Sequence, residues 1–175
     1  MKVLLINPYY SVKKEYYFFS KPVAPLALMY LAGYLRKFGV KSQIVELGIF
    51  KEEDALVFED RIRFGISDRS IYEILKKERP EIVGITSMYS VHYRDVMEIA
   101  ETIKNFSRGI KVVVGGNHPS SYFNYILKDK NIDFVVIGEG ERTLLELCRV
   151  VFQRKKNYAK IKGIAFKKGK KNMSN

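Results

Sequence analysis

Four short stretches hold residues whose types and spacing could do chemistry. Asn7-Pro8-Tyr9 closes the run Lys2-Val-Leu-Leu-Ile, and Thr86-Ser87-Met88, with Ser90 just beyond, closes Glu81-Ile-Val-Gly-Ile. Gly115-Gly116-Asn117-His118-Pro119 closes Val112-Val-Val, and Gly138-Glu139-Gly140-Glu141 closes Asp133-Phe-Val-Val-Ile. The runs are apolar and mostly β-branched, as expected of strands buried on both faces. Small, polar or glycine residues at such ends let backbone approach a large planar or phosphorylated ligand. The pair Gly115-Gly116 alone would suit a plain turn, so the reading rests on the four ends together.

Several reaction classes are excluded by what these ends lack. There is no Gly-x-Ser-x-Gly elbow for a Ser/His/Asp triad, no phosphate-cradling Walker A loop and no Gly-x-Gly-x-x-Gly. A phosphorylatable receiver needs acidic residues where Asn7 and Thr86 stand. The two histidines, His92 and His118, lack acidic partners in the sequence, so each reads as a hydrogen-bonded loop residue and no metal site is expected. Cys148 falls on the apolar face of a helix and reads as buried and inert. Glu139 and Glu141 stand where they either face a ligand or favour the N-terminus of the next helix. No catalytic residue is assigned.

The elements that position these ends alternate strand and helix. Five strands are expected at 2–7, 43–47, 81–86, 110–114 and 133–137, with helices at 25–38, 70–79, 93–106, 122–128 and 143–152. Ser70 and Glu73 suggest a capping box, and Ser120 or Ser121 the cap of the helix after the glycine pair. The aromatic stretch 9–21 reads as a loop across the ligand edge, and 48–69 as an irregular excursion with a partial helix around 52–64. The pattern predicts an α/β, doubly wound (flavodoxin-like, Rossmann-like) parallel sheet of order 2-1-3-4-5, with a short C-terminal strand or hairpin half at 160–166. One domain over residues 1–166 and a basic, frayed tail over 167–175 are expected.

Charge separates that tail from the domain. The net charge is +12, yet nine basic and no acidic residues lie from Arg154 onward. The preceding residues hold 22 basic against 19 acidic side chains, so nucleic-acid binding by the domain is not expected. No apolar run is long enough to span a bilayer, and the N-terminus lacks a signal-peptide pattern. A cytoplasmic location without membrane attachment is expected.

Taken in order, Lys2-Val-Leu-Leu-Ile-Asn-Pro8, Pro25-Leu-Ala-Leu-Met-Tyr-Leu-Ala-Gly-Tyr-Leu35, Val83-Gly-Ile-Thr86, Val114-Gly-Gly-Asn-His-Pro-Ser120 and Val136-Ile-Gly-Glu-Gly-Glu141 form a recognisable set. The chain resembles the N-terminal cobalamin (vitamin B12)-binding domain of radical S-adenosylmethionine proteins, over about residues 1–166. The resemblance implies a cobalamin lying along the loops after strands one, three, four and five. It makes Asn7, Pro8, Tyr9, Thr86, Ser87, Met88, Ser90, Gly115, Gly116, Asn117, His118, Pro119, Gly138, Glu139, Gly140 and Glu141 the expected cofactor-binding residues. Thr86-x-Met88 matches the family's Ser-x-Leu beside the nucleotide tail.

Two departures shape the expectation. The histidine that ligates cobalt in the wider superfamily follows strand one, where this chain has Tyr9-Tyr-Ser-Val-Lys-Lys-Glu15. A base-off cobalamin without a protein histidine ligand is therefore expected. The family's catalytic half carries Cys-x-x-x-Cys-x-x-Cys, whereas this chain has one cysteine, so no iron–sulfur cluster is expected in it. The expectation is a binding module, free-standing or truncated, not catalytic alone and serving a separate radical S-adenosylmethionine protein. Two alternatives remain: a flavodoxin-like enzyme using a nucleotide or flavin in the same crevice, and an RNA-associated protein acting through its basic tail.

Overall fold

The computed structural model describes residues 2–169 and 171–175. Strand β1 (Lys2–Asn7) is followed by β2 (Tyr10–Lys13), helix α1 (Leu26–Lys37) and β3 (Lys41–Glu46). Then come β4 (Leu56–Val57), β5 (Arg61–Phe64), α2 (Asp68–Glu78), β6 (Ile82–Thr86) and α3 (Tyr93–Phe106). The chain continues through β7 (Lys111–Gly115), α4 (Asn117–Ile126), β8 (Phe134–Val136) and α5 (Glu141–Phe152) to β9 (Ile164–Lys168) and β10 (Lys171–Ser174).

The main sheet has seven strands in the order β10-β9-β8-β7-β6-β1-β3. From β8 to β3 every pairing is parallel, while β9 runs antiparallel to β8 and β10 antiparallel to β9. Side chains alternate across a strand, and β1 shows how this builds two cores. Leu4 and Ile6 pack with Ile71 and Leu75 of α2 and with Val96, Ile99 and Ile103 of α3. Val3 and Leu5 face the other way, toward Leu28 and Leu35 of α1 and Leu144 and Cys148 of α5. The sheet is thus covered on both faces, and the C-terminal ends of its parallel strands meet on one edge.

Residues 48–69 hold strands instead of the expected helix. Apart from a 3-10 turn at Glu52–Asp54, they contribute β4 and β5 to a second, antiparallel sheet of order β2-β5-β4. Two of the charges that made this stretch look like exposed loop, Arg61 and Arg63, are drawn into ion pairs. Arg63 is 4% exposed; its Nη1 donates to Asp68 at 2.9 Å and its Nη2 to Glu98 at 3.0 Å. Arg61 Nη2 reaches both oxygens of Glu98 at 2.8 and 2.9 Å. This network fixes the small sheet to α3 at the edge where the strands of the main sheet end.

Other differences are local. Ser67, not Ser70, caps α2, accepting from the Ser70 amide at 3.2 Å. The helix after the glycine pair starts at Asn117, five residues earlier than expected, with Gly116 as its N-cap and a kink at Tyr122. The stretch 167–175, read as a frayed tail, completes β9 and supplies β10, with Gly169 at φ +63 turning the chain between them. Lys171 lies on the edge strand β10, where charge opposes edge-to-edge pairing.

Candidate functional site

Two clefts lie side by side along the strand ends. The first, about 670 Å³, runs between the loops after β1 and β6 and is lined by Asn7, Pro8, Tyr9, Thr86, Ser87 and Met88. The second, about 350 Å³, runs between the N-terminal half of α1 and the loops after β7 and β8. It is lined by Gly115, Gly116, Asn117, Gly138, Glu139, Gly140 and Glu141, and again by Thr86 and Met88. Both clefts therefore meet at the end of β6. All four strand ends singled out in the sequence are brought to one surface.

The second cleft depends on backbone held close to backbone. Gly116 has φ +119, and a Cβ there would lie 2.5 Å from the Ser87 carbonyl oxygen. Any side chain would drive the loops after β6 and β7 apart. The Ser87 amide donates to the Gly115 carbonyl at 2.8 Å, which fixes the same approach. Ser120 joins the next pair of loops: its hydroxyl donates to the Gly116 carbonyl at 2.8 Å and accepts from the Gly138 amide at 3.0 Å. Sequence reading offered Ser120 or Ser121 as a helix cap; in the structure Ser120 is a clamp between strand-end loops.

Ser90, His118 and Pro119 do not line either cleft. Pro119 is buried in the first turn of α4. His118 Nδ1 shares a hydrogen bond of 2.8 Å with the Ser90 hydroxyl, and the ring packs beside Tyr93 and Tyr122 at 4.8 and 5.0 Å. Burial lowers its pKa below the ordinary histidine value. These residues brace the loop after β6 against α4. Tyr9 lies along the first cleft, but its side chain is fully buried beneath the Arg63 guanidinium, 4.4 Å from the ring centre. Burial also raises its hydroxyl pKa.

Asn7 is positioned by a carboxylate. Its side-chain amide donates to Glu46 Oε2 at 2.6 Å, while Glu46 Oε1 accepts from the Gly48 amide at 2.8 Å. On the exposed side, Phe18, Pro22, Val23, Leu26 and Ala27 add an apolar wall that sequence reading did not assign. The signal was present in α1, whose first two turns are apolar nearly all round; Leu26, Met29 and Tyr30 are 65%, 51% and 72% exposed. An exposed apolar helix end beside a crevice is available to a ligand or a partner.

His92 is a further unassigned wall residue. It precedes α3 and lines the first cleft, with its ring meeting Tyr10 edge-on at 5.5 Å. Behind it lies Asp95, 2% exposed, whose Oδ2 is 3.8 Å from His92 Nδ1 and accepts from the Ser11 amide at 2.9 Å. The sequence hid this pair, because a histidine and an aspartate one turn apart gain meaning only when burial is known. Among the described residues, no group of three or more His, Cys, Asp and Glu is placed to hold a metal ion. Cys148 is buried, and burial pushes its thiol up to about 12. No helix is long and apolar enough to cross a membrane among the described residues.

A family model of the B12 binding domain matches residues 19–148. The chain belongs to the B12-binding domain family. Cytidylyl-2-hydroxyethylphosphonate methyltransferase of Streptomyces wedmorensis is 30% identical to it over 147 residues, covering 82% of this chain and 27% of that protein. An uncharacterized methyltransferase of Pyrococcus horikoshii is 34% identical over 149 residues, covering 84% and 28%. An anaerobic magnesium-protoporphyrin IX monomethyl ester cyclase of Rubrivivax gelatinosus is 29% identical over 155 residues, covering 87% and 25%. The chain thus spans between a quarter and a third of these B12-family relatives.

Among solved structures, the same fold occurs in the radical S-adenosylmethionine methyltransferase TsrM of Kitasatospora setae with cobalamin and a [4Fe-4S] cluster bound. There the TM-score is 0.75 at 21% identity, covering 99% of this chain and 30% of that one. It occurs also in the cobalamin-dependent S-adenosylmethionine radical enzyme OxsB with aqua-cobalamin and S-adenosylmethionine bound, at TM-score 0.72 and 19% identity, covering 99% and 22%. The B12-binding fold is therefore present over almost the whole length of this chain.

Proposed function

We propose that the two clefts hold one cobalamin with its own base displaced from cobalt, and that the chain acts as the cofactor-binding module of a radical S-adenosylmethionine system. The observation that carries this is the meeting of the clefts at Thr86 and Met88. A wide, apolar-walled cleft beside a narrow one floored by glycine backbone suits a ligand with a large planar ring and a detached tail. In this reading Gly115, Gly116, Gly138 and Gly140 border the tail, and Asn7, Pro8, Ser87 and Met88 border the ring. The bound group supplies the capacity to carry and exchange a methyl group at cobalt. The chain's own residues bind it, orient it and keep water from its covered face.

Cluster chemistry is assigned elsewhere. Cys148 is the sole cysteine and is buried against the sheet, so the thiolates an iron–sulfur cluster needs belong to another polypeptide or segment. On this reading the module is not catalytic alone. The flavin reading shares the same crevice, and a visible titration separates the two. Hydroxocobalamin should saturate the chain with a shifted spectrum, while flavin mononucleotide at the same concentrations should leave its spectrum unchanged. Saturable flavin uptake without cobalamin uptake would overturn the proposal.

A further inference from the structure

We propose that His92 supplies the lower axial nitrogen to the cobalt of bound cobalamin and that Asp95 is the positioning residue behind it. The inference rests on the cobalamin reading above and replaces the expectation of a cofactor without a protein histidine ligand. That expectation followed from the loop after β1, which has no imidazole of its own. The fold brings one to that loop from a distant part of the sequence. His92 packs its ring edge-on against Tyr10 at 5.5 Å, and Asp95 accepts the Ser11 amide at 2.9 Å. Both contacts are with β2, immediately beyond the end of β1. His92 also lines the first cleft, whereas His118 lines neither and is tied to Ser90.

The ring is held in the manner a metal-binding imidazole requires. Nδ1 is buried, makes no hydrogen bond, and lies 3.8 Å from the Asp95 carboxylate. The side chain as a whole is 32% exposed, on the cleft side. A small shift of the ring would let Nδ1–H donate to Asp95 and leave the lone pair of Nε2 free, the arrangement found behind metal-bound histidines. Binding would then be a ligand exchange: the Nε2 lone pair would take the lower position at cobalt as the cofactor's own base leaves it. The Nδ1 proton stays between the ring and Asp95, and the oxidation state of the metal does not change.

The test is electron paramagnetic resonance of the chain loaded with hydroxocobalamin and reduced to Co(II). The wild type should show the three-line superhyperfine splitting of one 14N nucleus. His92→Gln, which retains a polar side chain of similar reach, should take up cobalamin within about tenfold of wild-type affinity and lose the splitting. Adding 15N-imidazole to His92→Ala should restore it as two lines. Asp95→Asn should still bind cobalamin but show a larger fraction of signal without splitting. A wild-type signal without nitrogen splitting would overturn the inference in favour of water or an empty position. Splitting that persists in His92→Gln would overturn it in favour of the cofactor's own base. Failure of the wild type to take up cobalamin would overturn the functional reading itself.

Discussion

The Ser120 hydroxyl accepts a hydrogen bond from the Gly138 amide at 3.0 Å while donating to the Gly116 carbonyl at 2.8 Å. One side chain thereby sets the distance between the loops after β7 and β8, which together form one wall of the narrow cleft. Ser120→Ala removes both bonds and should cost about 1–2 kcal/mol of stability. Cobalamin affinity should fall by roughly the tenfold that 1.4 kcal/mol represents. Urea unfolding and a hydroxocobalamin titration measure the two effects, and unchanged affinity would detach the clamp from the site.

Gly116 makes a sharper demand. Valine there would meet the Ser87 carbonyl at 2.5 Å and occupy φ +119. Such strain costs about 1–3 kcal/mol. Gly116→Val should remain folded by circular dichroism, unfold at lower temperature and lose cobalamin uptake. Normal uptake would remove the loop after β7 from the site.

Arg63 tests how the small sheet is held. It is paired with Asp68 and Glu98 at 2.9 and 3.0 Å and lies over the Tyr9 ring. Arg63→Ala strands part of that charge and should destabilise the chain by about 3 kcal/mol. A change below 1 kcal/mol in denaturant unfolding would mean that the network contributes little.

His118 predicts a pH dependence. Burial lowers its folded pKa below the ordinary value, so the unfolded chain takes up the proton first as pH falls. Stability at this residue is intact above about pH 6.5, the ordinary histidine value, and declines as pH falls from there toward the lower folded pKa. Nuclear magnetic resonance titration of the His118 ring should give a midpoint below 6.5. A midpoint above that value would contradict its half-buried, Ser90-bound state.

The C-terminal strand separates stability from binding. Asn172 Nδ2 reaches the Asn124 carbonyl at 3.1 Å and the Asn175 amide reaches the Ile164 carbonyl at 3.1 Å. Deleting residues 169–175 should lower the melting temperature by several degrees, about what 1–2 kcal/mol produces in a domain of this size. Cobalamin affinity should stay within about threefold, since β10 is remote from β1 and β6 in the sheet order. Loss of binding would show that the sheet edge shapes the clefts.

The central sheet was legible because Leu4, Val83, Val112 and Val135 belong to apolar runs bounded by turn residues, a pattern that depends on local sequence alone. The second sheet was not. Arg61 and Arg63 look solvated until Glu98, more than thirty residues on, is known to lie against them. The strand ends that border the two clefts were readable for the same local reason, since glycine pairs and short polar ends follow the strands directly. His92 reads as a loop histidine in the sequence because its partners, Asp95 and Tyr10, gain meaning only through burial and tertiary approach. The tail was misread because charge says nothing about pairing with a neighbouring strand.

Equilibrium dialysis of the purified chain against hydroxocobalamin, beside Gly116→Val, tests the central claim most directly. The account predicts one cobalamin retained per wild-type chain, with a visible spectrum shifted from that of the free cofactor, and none retained by the variant. Equal cobalamin on both sides of the membrane for the folded wild-type chain would contradict it.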